Sequence, residues 1–182
     1  TASLAGNDRI FEALCRQAGL IRCYDPLHTC DMAMALASQP LPKSNRVAII
    51  SGGGGYCVTM AEACVAWGLD VPQLDPAASE EIKQILQPFA PLPLNPVDTA
   101  SDIPPMTPAR ALHILMRQDN LDGVCMMIPF MFEFQLRSPA SIRELMDATE
   151  IISALPRKYN KPIVANMIPR VAVGPALDLF KK

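Results

Sequence analysis

Short apolar runs alternate with helix-like patterns along most of this sequence. Runs rich in Val, Ile and Met, typical of strands covered on both faces, occur at Arg46–Ser51, Gly123–Ile128 and Lys161–Asn166, with a shorter one at Leu69–Val71. Between these runs, apolar residues recur at helical spacing over about 56–67, from Asp75, from Thr107 and over about 139–155. The alternation predicts parallel β–α–β units with right-handed crossovers, and so an α/β fold with a doubly wound parallel sheet.

Two helices are predicted before the first strand. One covers 8–18 and ends at Gly19, and the other covers about 26–39 and begins after Asp25. We expect residues 1–44 to form an N-terminal helical appendage and residues 45–182 to form the α/β domain. The stretch from Pro169 to Lys182 begins another helix-like pattern and stops, which predicts a domain truncated at its C-terminus.

Six prolines interrupt the pattern between residues 88 and 106. Each proline removes a backbone donor and restricts the residue before it, so we expect an ordered loop here and no regular element. This loop carries the segment Asn95–Asp98.

Composition narrows the class of protein. Half of the 182 residues are apolar and 19% are charged, which is enough to build a core and argues against disorder. Sixteen basic and eighteen acidic residues give a net charge of −2, so neither nucleic acid nor an anionic membrane is an expected partner. No apolar run approaches the roughly 20 residues of a membrane helix, and the first residues lack the basic start of a signal peptide.

The six cysteines favour free thiols in a reducing cytoplasm. No two of them form a CxxC pair, so the spacing of a metal site is absent. Cys15, Cys57, Cys64 and Cys125 lie in apolar stretches, where cysteine behaves as a small hydrophobic residue. A nucleophilic cysteine stays open as an alternative, although no histidine partner lies near one in sequence.

The strongest chemical signal is Ser51-Gly52-Gly53-Gly54-Gly55, which joins a predicted strand to a predicted helix. Glycine lets the backbone approach a ligand closely, and the unpaired N–H groups at a helix start favour a phosphate or carboxylate. The dinucleotide pattern GxGxxG is not met because Val58 replaces its third glycine, and no Gly-Lys-Ser/Thr follows for a P-loop. A tight strand–helix turn without a ligand is the alternative interpretation.

Asn95 and Asp98 are the second candidate. In a doubly wound sheet their loop reaches the edge where ligands bind, while a purely structural Asx turn explains them equally well. His28 and His113 have no carboxylate at i±4 that would orient them as bases, so no catalytic residue is predicted.

Four segments in this order resemble the C-terminal ligase part of the NDP-forming acyl-CoA synthetases, which include ADP-forming acetyl-CoA synthetase and succinyl-CoA synthetase. Thr1–Gly6 is similar to the family's T-G-A/S-L-A-G segment, and Arg16–Arg22 follows at the usual distance. Asn45–Gly55 is similar to the family's strand and loop RVAIVTNGGG, and Asn95–Asp98 is similar to its NPVD loop. The resemblance runs from residue 1 to about 165.

The resemblance implies a flavodoxin-like domain of a larger enzyme. Such enzymes interconvert acyl-CoA, NDP and phosphate with acid, CoA and NTP, passing a phosphoryl group from an acyl phosphate to a histidine and then to the nucleotide. That histidine stands just before the T-G-A/S-L-A-G segment, so this chain starts one residue after it and is expected to be inactive alone. By the resemblance, Ser51–Gly55 would bind phosphate or phosphohistidine, with Asn95 and Asp98 lining the same edge.

The resemblance also implies partners and cofactors. They are a CoA-binding domain, an ATP-grasp domain on the same or another chain, an acyl substrate, and an oligomeric assembly. CoA, ATP or ADP, and Mg would belong to the full enzyme, with no cofactor held by this chain itself. The sequence departs from the family at Ala2, at Tyr56 and Cys57, and at Pro129–Glu133, whose aromatic residues would suit a bulkier acyl group.

Two other functions stay open. Some relatives join this architecture to an acetyltransferase, so the chain could be a non-catalytic regulatory or scaffold module. An independent flavodoxin-like nucleotide binder is the third interpretation, but the sequence lacks a pair of aromatic-rich loops suited to a flavin ring.

Overall fold

The computed structural model describes residues 6–100, 104–128 and 138–167. The predicted helix after Pro169, the aromatic stretch Pro129–Glu133 and most of the Thr1–Gly6 segment lie outside the described residues. Contacts divide the chain into two compact units, Thr1–Ser38 and Gln39–Lys182.

The larger unit is built on a parallel sheet. Its strands are β1 (Val47–Ser51), β2 (Val97–Asp98), β3 (Gly123–Ile128) and β4 (Ile163–Met167), in the spatial order β2-β1-β3-β4. All pairs are parallel, with Ser51 opposite Asp98 on β2 and opposite Met127 on β3. Because the chain moves to one side of β1 and then to the other, the carboxyl end of β1 lies at a topological switch point, where open α/β sheets bind ligands.

Six helices complete the described elements. They are α1 (Asp8–Ala18), α2 (Pro26–Ser38), α3 (Gly54–Ala66), α4 (Pro76–Ile85), α5 (Met106–Met116) and α6 (Pro139–Tyr159). A capping box between Ser138 and Ser141 starts α6, and Pro76 stands at the first position of α4. The prediction of an α/β fold with a parallel sheet and flanking helices is confirmed.

The alternation of side chains along β1 separates two apolar layers. Ala48 and Ile50 point into the main core with residues of α4, α5 and α6, including Ile82, Leu112 and Leu155. Val47 and Ile49 point to the opposite face, where Cys64 of α3 packs against them. Ser51 follows the same alternation, so its side chain lies on the α3 face of the sheet.

Two sequence predictions differ from the structure. Leu69–Val71 forms no strand; only Asp70 makes an isolated parallel bridge, to Arg46. The proline-rich loop instead contains a two-residue strand, β2, which pairs with β1. Pro96 directly precedes this strand, and proline is tolerated at the start of an edge strand because no ladder donor is needed there.

The smaller unit contains α1 and α2. The side chain of Asn7 accepts a hydrogen bond from the backbone N–H of Arg9 at the start of α1, and Gly19 ends this helix with φ of 68°. The guanidinium of Arg22 pairs with Asp8 and Glu12 and lies over the rings of Phe11 and Tyr24. These contacts tie the segment after α1 back to the helix.

Within the described ranges, no helix combines the length and apolar character needed to cross a membrane.

Candidate functional site

The glycine loop lies where β1 ends and α3 begins. Ser51 is the last residue of β1, and Gly53 is the N-cap of a helix that starts at Gly54, earlier than the sequence pattern indicates. Its N-cap, Gly53, supplies no side-chain cap, and no hydrogen bond from another side chain to the first turn of α3 is found among the residues that the structure describes. The first N–H groups of a helix have no intrahelical partner and carry about half a positive elementary charge, so this turn is suited to an anion.

Ser51 directly precedes the glycines of the loop. Its carbonyl oxygen accepts hydrogen bonds from the backbone N–H of Thr99, at 2.9 Å, and from the Thr99 hydroxyl, at 3.2 Å. Ser51 is 2% exposed, and its Oγ has no hydrogen-bond partner among the residues that the structure describes. A buried hydroxyl without a partner is costly, which marks this position as one where a polar ligand would be stabilising.

Asp98 brings a carboxylate to the start of α3. It ends β2 opposite Ser51, and its Oδ1 accepts a hydrogen bond of 2.9 Å from the backbone N–H of Ala100. A Cβ added to Gly54 would lie 3.0 Å from Asp98 Oδ2. A side chain at position 54 would therefore press on the carboxylate beside the first turn of the helix.

Two further side chains shape the loop. The ring of Tyr56 packs on Gly53, where an added Cβ would lie 3.2 Å from Cδ2. Cys57 is buried one turn into the helix, and its Sγ lies 3.5 Å from the carbonyl oxygen of Val97. Burial, and secondly the charge of Asp98, raises the pKa of the Cys57 thiol to about 11. Cys57 is therefore a neutral thiol at physiological pH, which argues against a nucleophilic role.

Asn95 has a different environment from the one expected for a ligand-facing residue. The residue is 5% exposed. Its Oδ1 accepts a hydrogen bond from the backbone N–H of Ile49, and its Nδ2 donates to the carbonyl oxygens of Val47 and Pro72. Both amide hydrogens are used inside the protein, so this geometry accounts for Asn95 as a structural residue of the sheet edge.

The structure thus brings Ser51, the glycines and Asp98 together at one edge of the sheet. Sequence reasoning did not find Thr99, which holds the Ser51 carbonyl, or the position of Cys57 beneath the loop. The only sequence signal for Thr99 is its place directly after Asp98 in the proline-rich loop.

Of the two histidines, His28 belongs to the smaller unit and His113 lies on α5 of the larger one. His28 is exposed in the first turn of α2. His113, near the end of α5, lies with Nε2 2.6 Å from the Tyr159 hydroxyl and 3.2 Å from Lys158 Nζ. Burial, and then the charge of Lys158, lowers the pKa of His113. The part of the chain with assigned structure holds no group of three or more His, Cys, Asp or Glu side chains arranged to bind a metal ion.

A family model and curated relatives match the sequence. The model of the ligase-CoA domain matches residues 47–182. The chain is 36% identical, over 58% of its length, to an ADP-forming acetate–CoA ligase from Methanocaldococcus jannaschii, of which it covers 15%. It is 31% identical, over its whole length, to the alpha subunit of ADP-forming acetate–CoA ligase II from Pyrococcus furiosus, of which it covers 38%. The chain therefore spans well under half of these relatives.

Solved structures share the fold. A crystal structure of a protein from Pyrococcus horikoshii superposes with a TM-score of 0.78 at 26% identity, covering 97% of this chain and 39% of that one. Acetyl-coenzyme A synthetase 1 from Candidatus Korarchaeum cryptofilum, described as dinucleotide forming and in complex with phosphate and ADP, gives a TM-score of 0.76 at 20% identity. The superposed region covers 98% of this chain and 37% of the synthetase chain.

Proposed function

Because this chain belongs to the ligase-CoA domain family, we propose that it serves as the ligase domain of an NDP-forming acyl-CoA synthetase and binds a phosphoryl group at the start of α3. The phosphoryl group would be that of phosphate or phosphohistidine, held by the backbone of Ser51–Gly55. The observation that carries this proposal is the first turn of α3 at the carboxyl end of β1, which no described side chain caps, together with the buried Ser51 hydroxyl, which has no hydrogen-bond partner among the described residues.

The chemistry of phosphoryl transfer fits such a site. The reaction needs its negative charge held by preorganised donors more than it needs an acid or a base. Backbone amides at a helix start are fixed by the fold and need no reorganisation when the ligand arrives. The absence of a predicted catalytic side chain at this edge is therefore compatible with the proposal.

The reaction of the whole protein is part of the proposal. It would interconvert acyl-CoA, NDP and phosphate with acid, CoA and NTP in the cytoplasm, with a CoA-binding domain and an ATP-grasp domain as partners. CoA, the nucleotide and Mg would act in the complete enzyme; we assign them no residue of this chain. The alternative function, a non-catalytic regulatory or scaffold module, would bind CoA or nucleotide without turnover. This behaviour would distinguish it from the ligase.

The proposal is tested by a charge placed at Gly55. A Cβ at this position meets nothing within 4 Å, so Gly55→Asp and Gly55→Ala both fit. An acidic residue in the first turn interacts well with the helix dipole and leaves the fold stable, but it repels an anion. We expect Gly55→Asp to weaken binding of phosphoimidazole, a small analogue of phosphohistidine, by about tenfold or more.

Gly55→Ala is the matched control. It changes the same backbone position without adding charge, and it should bind phosphoimidazole as the unmodified chain does. Titration calorimetry at constant ionic strength measures both affinities, and thermal unfolding verifies that each variant is folded. Equal affinity in Gly55→Asp and Gly55→Ala, or no binding by the unmodified chain, would refute the proposal.

A further inference from the structure

Two cysteines from different elements meet in the apolar layer between α3 and the sheet. Cys64 of α3 packs against Val47 and Ile49 of β1, and Cys125 of β3 packs against the same cluster. Cys125 is the β3 residue paired with Ile49, so both side chains leave the sheet toward α3. Burial, and then the neighbouring thiol of Cys64, raises the pKa of Cys125 to about 12. The fold thus brings two thiols together.

A thioether adds a third sulfur atom to this layer. Met60 stands four residues before Cys64 on α3, so the two share a helix face, and it packs against the same cluster. Thiolate and thioether sulfurs are the ligands that soft ions such as Cu(I) prefer. Structural zinc takes four ligands in a tetrahedron, and the described residues hold no group of three or more His, Cys, Asp or Glu that could supply them. The donor set therefore favours a soft monovalent ion.

The three sulfurs are accessible to a small ion. Cys125 and Met60 are partly exposed, whereas Cys64 is buried. Val164 of β4 pairs with Cys125 and is 51% exposed, so the described part of the chain leaves this side of the layer open. Because the Cys125 thiol is protonated near pH 7, a metal must bind sulfur strongly enough to displace its proton.

We propose that Cys64, Cys125 and Met60 form a binding site for a soft monovalent cation such as Cu(I). Binding forms bonds from the cation to two thiolates and to the thioether sulfur, and the two thiol protons pass to the solvent. The cation and the sulfurs keep their oxidation states. The bound ion cross-links α3 to β3. This site does not depend on the proposed phosphoryl site, which lies at the start of α3.

The site is first located in the unmodified chain, without any substitution. Cu(I) has a filled d shell and leaves NMR signals sharp, so amide resonances can be followed as its bicinchoninate complex is added in the absence of oxygen. We expect the amides of residues 60–64 and those around Cys125 to shift together and to saturate at an equimolar amount of Cu(I). Shifts confined to other parts of the chain would place the ion elsewhere and overturn the inference.

Competition with bicinchoninate then measures the affinity of variants. Cys64→Ala and Cys125→Ala each remove a ligand and should weaken Cu(I) binding by at least about tenfold. Met60→Leu should weaken it less, because a thioether is the weaker ligand. Cys30→Ala is the matched control, since it removes an exposed thiol of α2 and should leave the affinity unchanged. Thermal unfolding verifies that every variant is folded.

Three results contradict the proposed site. Folded Cys64→Ala or Cys125→Ala could hold Cu(I) as tightly as Cys30→Ala does, in which case the thiol pair is not the ligand. The unmodified chain could yield all its Cu(I) to bicinchoninate, which would show that the layer binds no soft ion. Zn²⁺ could displace Cu(I) at equal concentration, which would contradict the preference for a soft ion.

Discussion

Asn95 is joined to Ile49 by a hydrogen bond of 2.9 Å, from the backbone N–H of Ile49 to the side-chain Oδ1 of Asn95. A side-chain amide thus takes the role of a strand backbone just before β2 begins. Its Nδ2 also binds the carbonyl oxygens of Val47 and Pro72, at 2.9 and 2.8 Å. Asn95 therefore holds together β1, the segment before α4 and the start of β2, and so fixes the edge at which Asp98 stands.

Replacing Asn95 should be costly. Asn95→Ala leaves three backbone groups without this partner, and each buried unsatisfied group costs roughly 1–3 kcal/mol, so we expect a loss of about 3 kcal/mol or more in the free energy of unfolding. Asn45→Ala is the control, because Asn45 is exposed and its side chain makes only surface hydrogen bonds: Nδ2 donates to the Gly68 carbonyl oxygen and Oδ1 accepts from the Ser44 hydroxyl. It should cost about 1 kcal/mol or less. Urea unfolding compares them, and equal losses would contradict the assigned role.

Two adjacent glycines should respond differently to alanine. Gly55→Ala adds a Cβ in open space and should stabilise the chain by about 0.5 kcal/mol, because alanine loses less entropy in a helix. Gly54→Ala places its Cβ against Asp98 Oδ2 and should displace the carboxylate from Ala100, at a cost of about 1 kcal/mol. Thermal unfolding measures both.

Adding Asp98→Ala to each glycine variant tests the cause. Without the carboxylate, the difference between the alanines at 54 and 55 should become small, as expected when two residues interact directly. A difference that stays unchanged would show that Asp98 is not the obstacle.

Low pH should remove the contribution of the Arg46–Asp122 ion pair to the free energy of unfolding. Arg46 Nε lies 2.6 Å from Asp122 Oδ2, and this hydrogen bond is the main cause that lowers the pKa of Asp122 below 3.8. A carboxylate whose folded-state pKa is depressed stabilises the fold above its unfolded pKa, and this contribution is lost as the pH falls through the folded value. Asp122→Asn should therefore lower the free energy of unfolding near pH 7. This deficit relative to the unmodified chain should shrink below about pH 4.

Chemical denaturation at several pH values gives this profile. Glu80→Gln, which alters an exposed pair with Lys83 at 3.8 Å, serves as control and should show almost no deficit at any pH. A deficit for Asp122→Asn that is constant from pH 7 to pH 3 would contradict the electrostatic explanation.

Cys57 should resist alkylation in the folded chain. Its thiol is buried and has a pKa of about 11, whereas Cys30 is exposed on α2. Because the thiolate is the reactive form, iodoacetamide at pH 8 should modify Cys30 and leave Cys57 unmodified, as measured by peptide mass spectrometry. In urea both should react. Rapid labelling of Cys57 under native conditions would show that the loop opens or that the thiol is activated.

The sequence predicted the parts of the fold that depend on local pattern. The β-branched run through Ile49 and Ile50 predicted β1, and the glycines after Ser51 placed the turn into α3. The secondary structure of short ranges such as Leu69–Val71 was harder to predict, because three apolar or acidic residues are equally compatible with a strand and with an isolated bridge. Whether such a run forms a ladder depends on the length of its partner strand, which is a tertiary property.

The candidate site was predictable only in outline. Its glycine loop is contiguous in sequence, whereas the approach of Asp98 to Gly54 depends on the register between β1 and β2. Asn95 was likewise identified as a candidate from the sequence, but its structural role was not. Its hydrogen-bond partners lie 46 and 48 residues earlier and at Pro72, so only the folded chain brings them together. Short-range patterns do not encode such pairings.

The most direct test of the phosphoryl site follows the backbone amides themselves. In the isotopically labelled chain, amide NMR resonances are recorded as phosphoimidazole is added at pH 8. The account predicts that the amides of residues 53–57 shift most, that they saturate together, and that they do not shift in Gly55→Asp. Shifts confined to other parts of the chain, or no saturable shift at the start of α3, would contradict it.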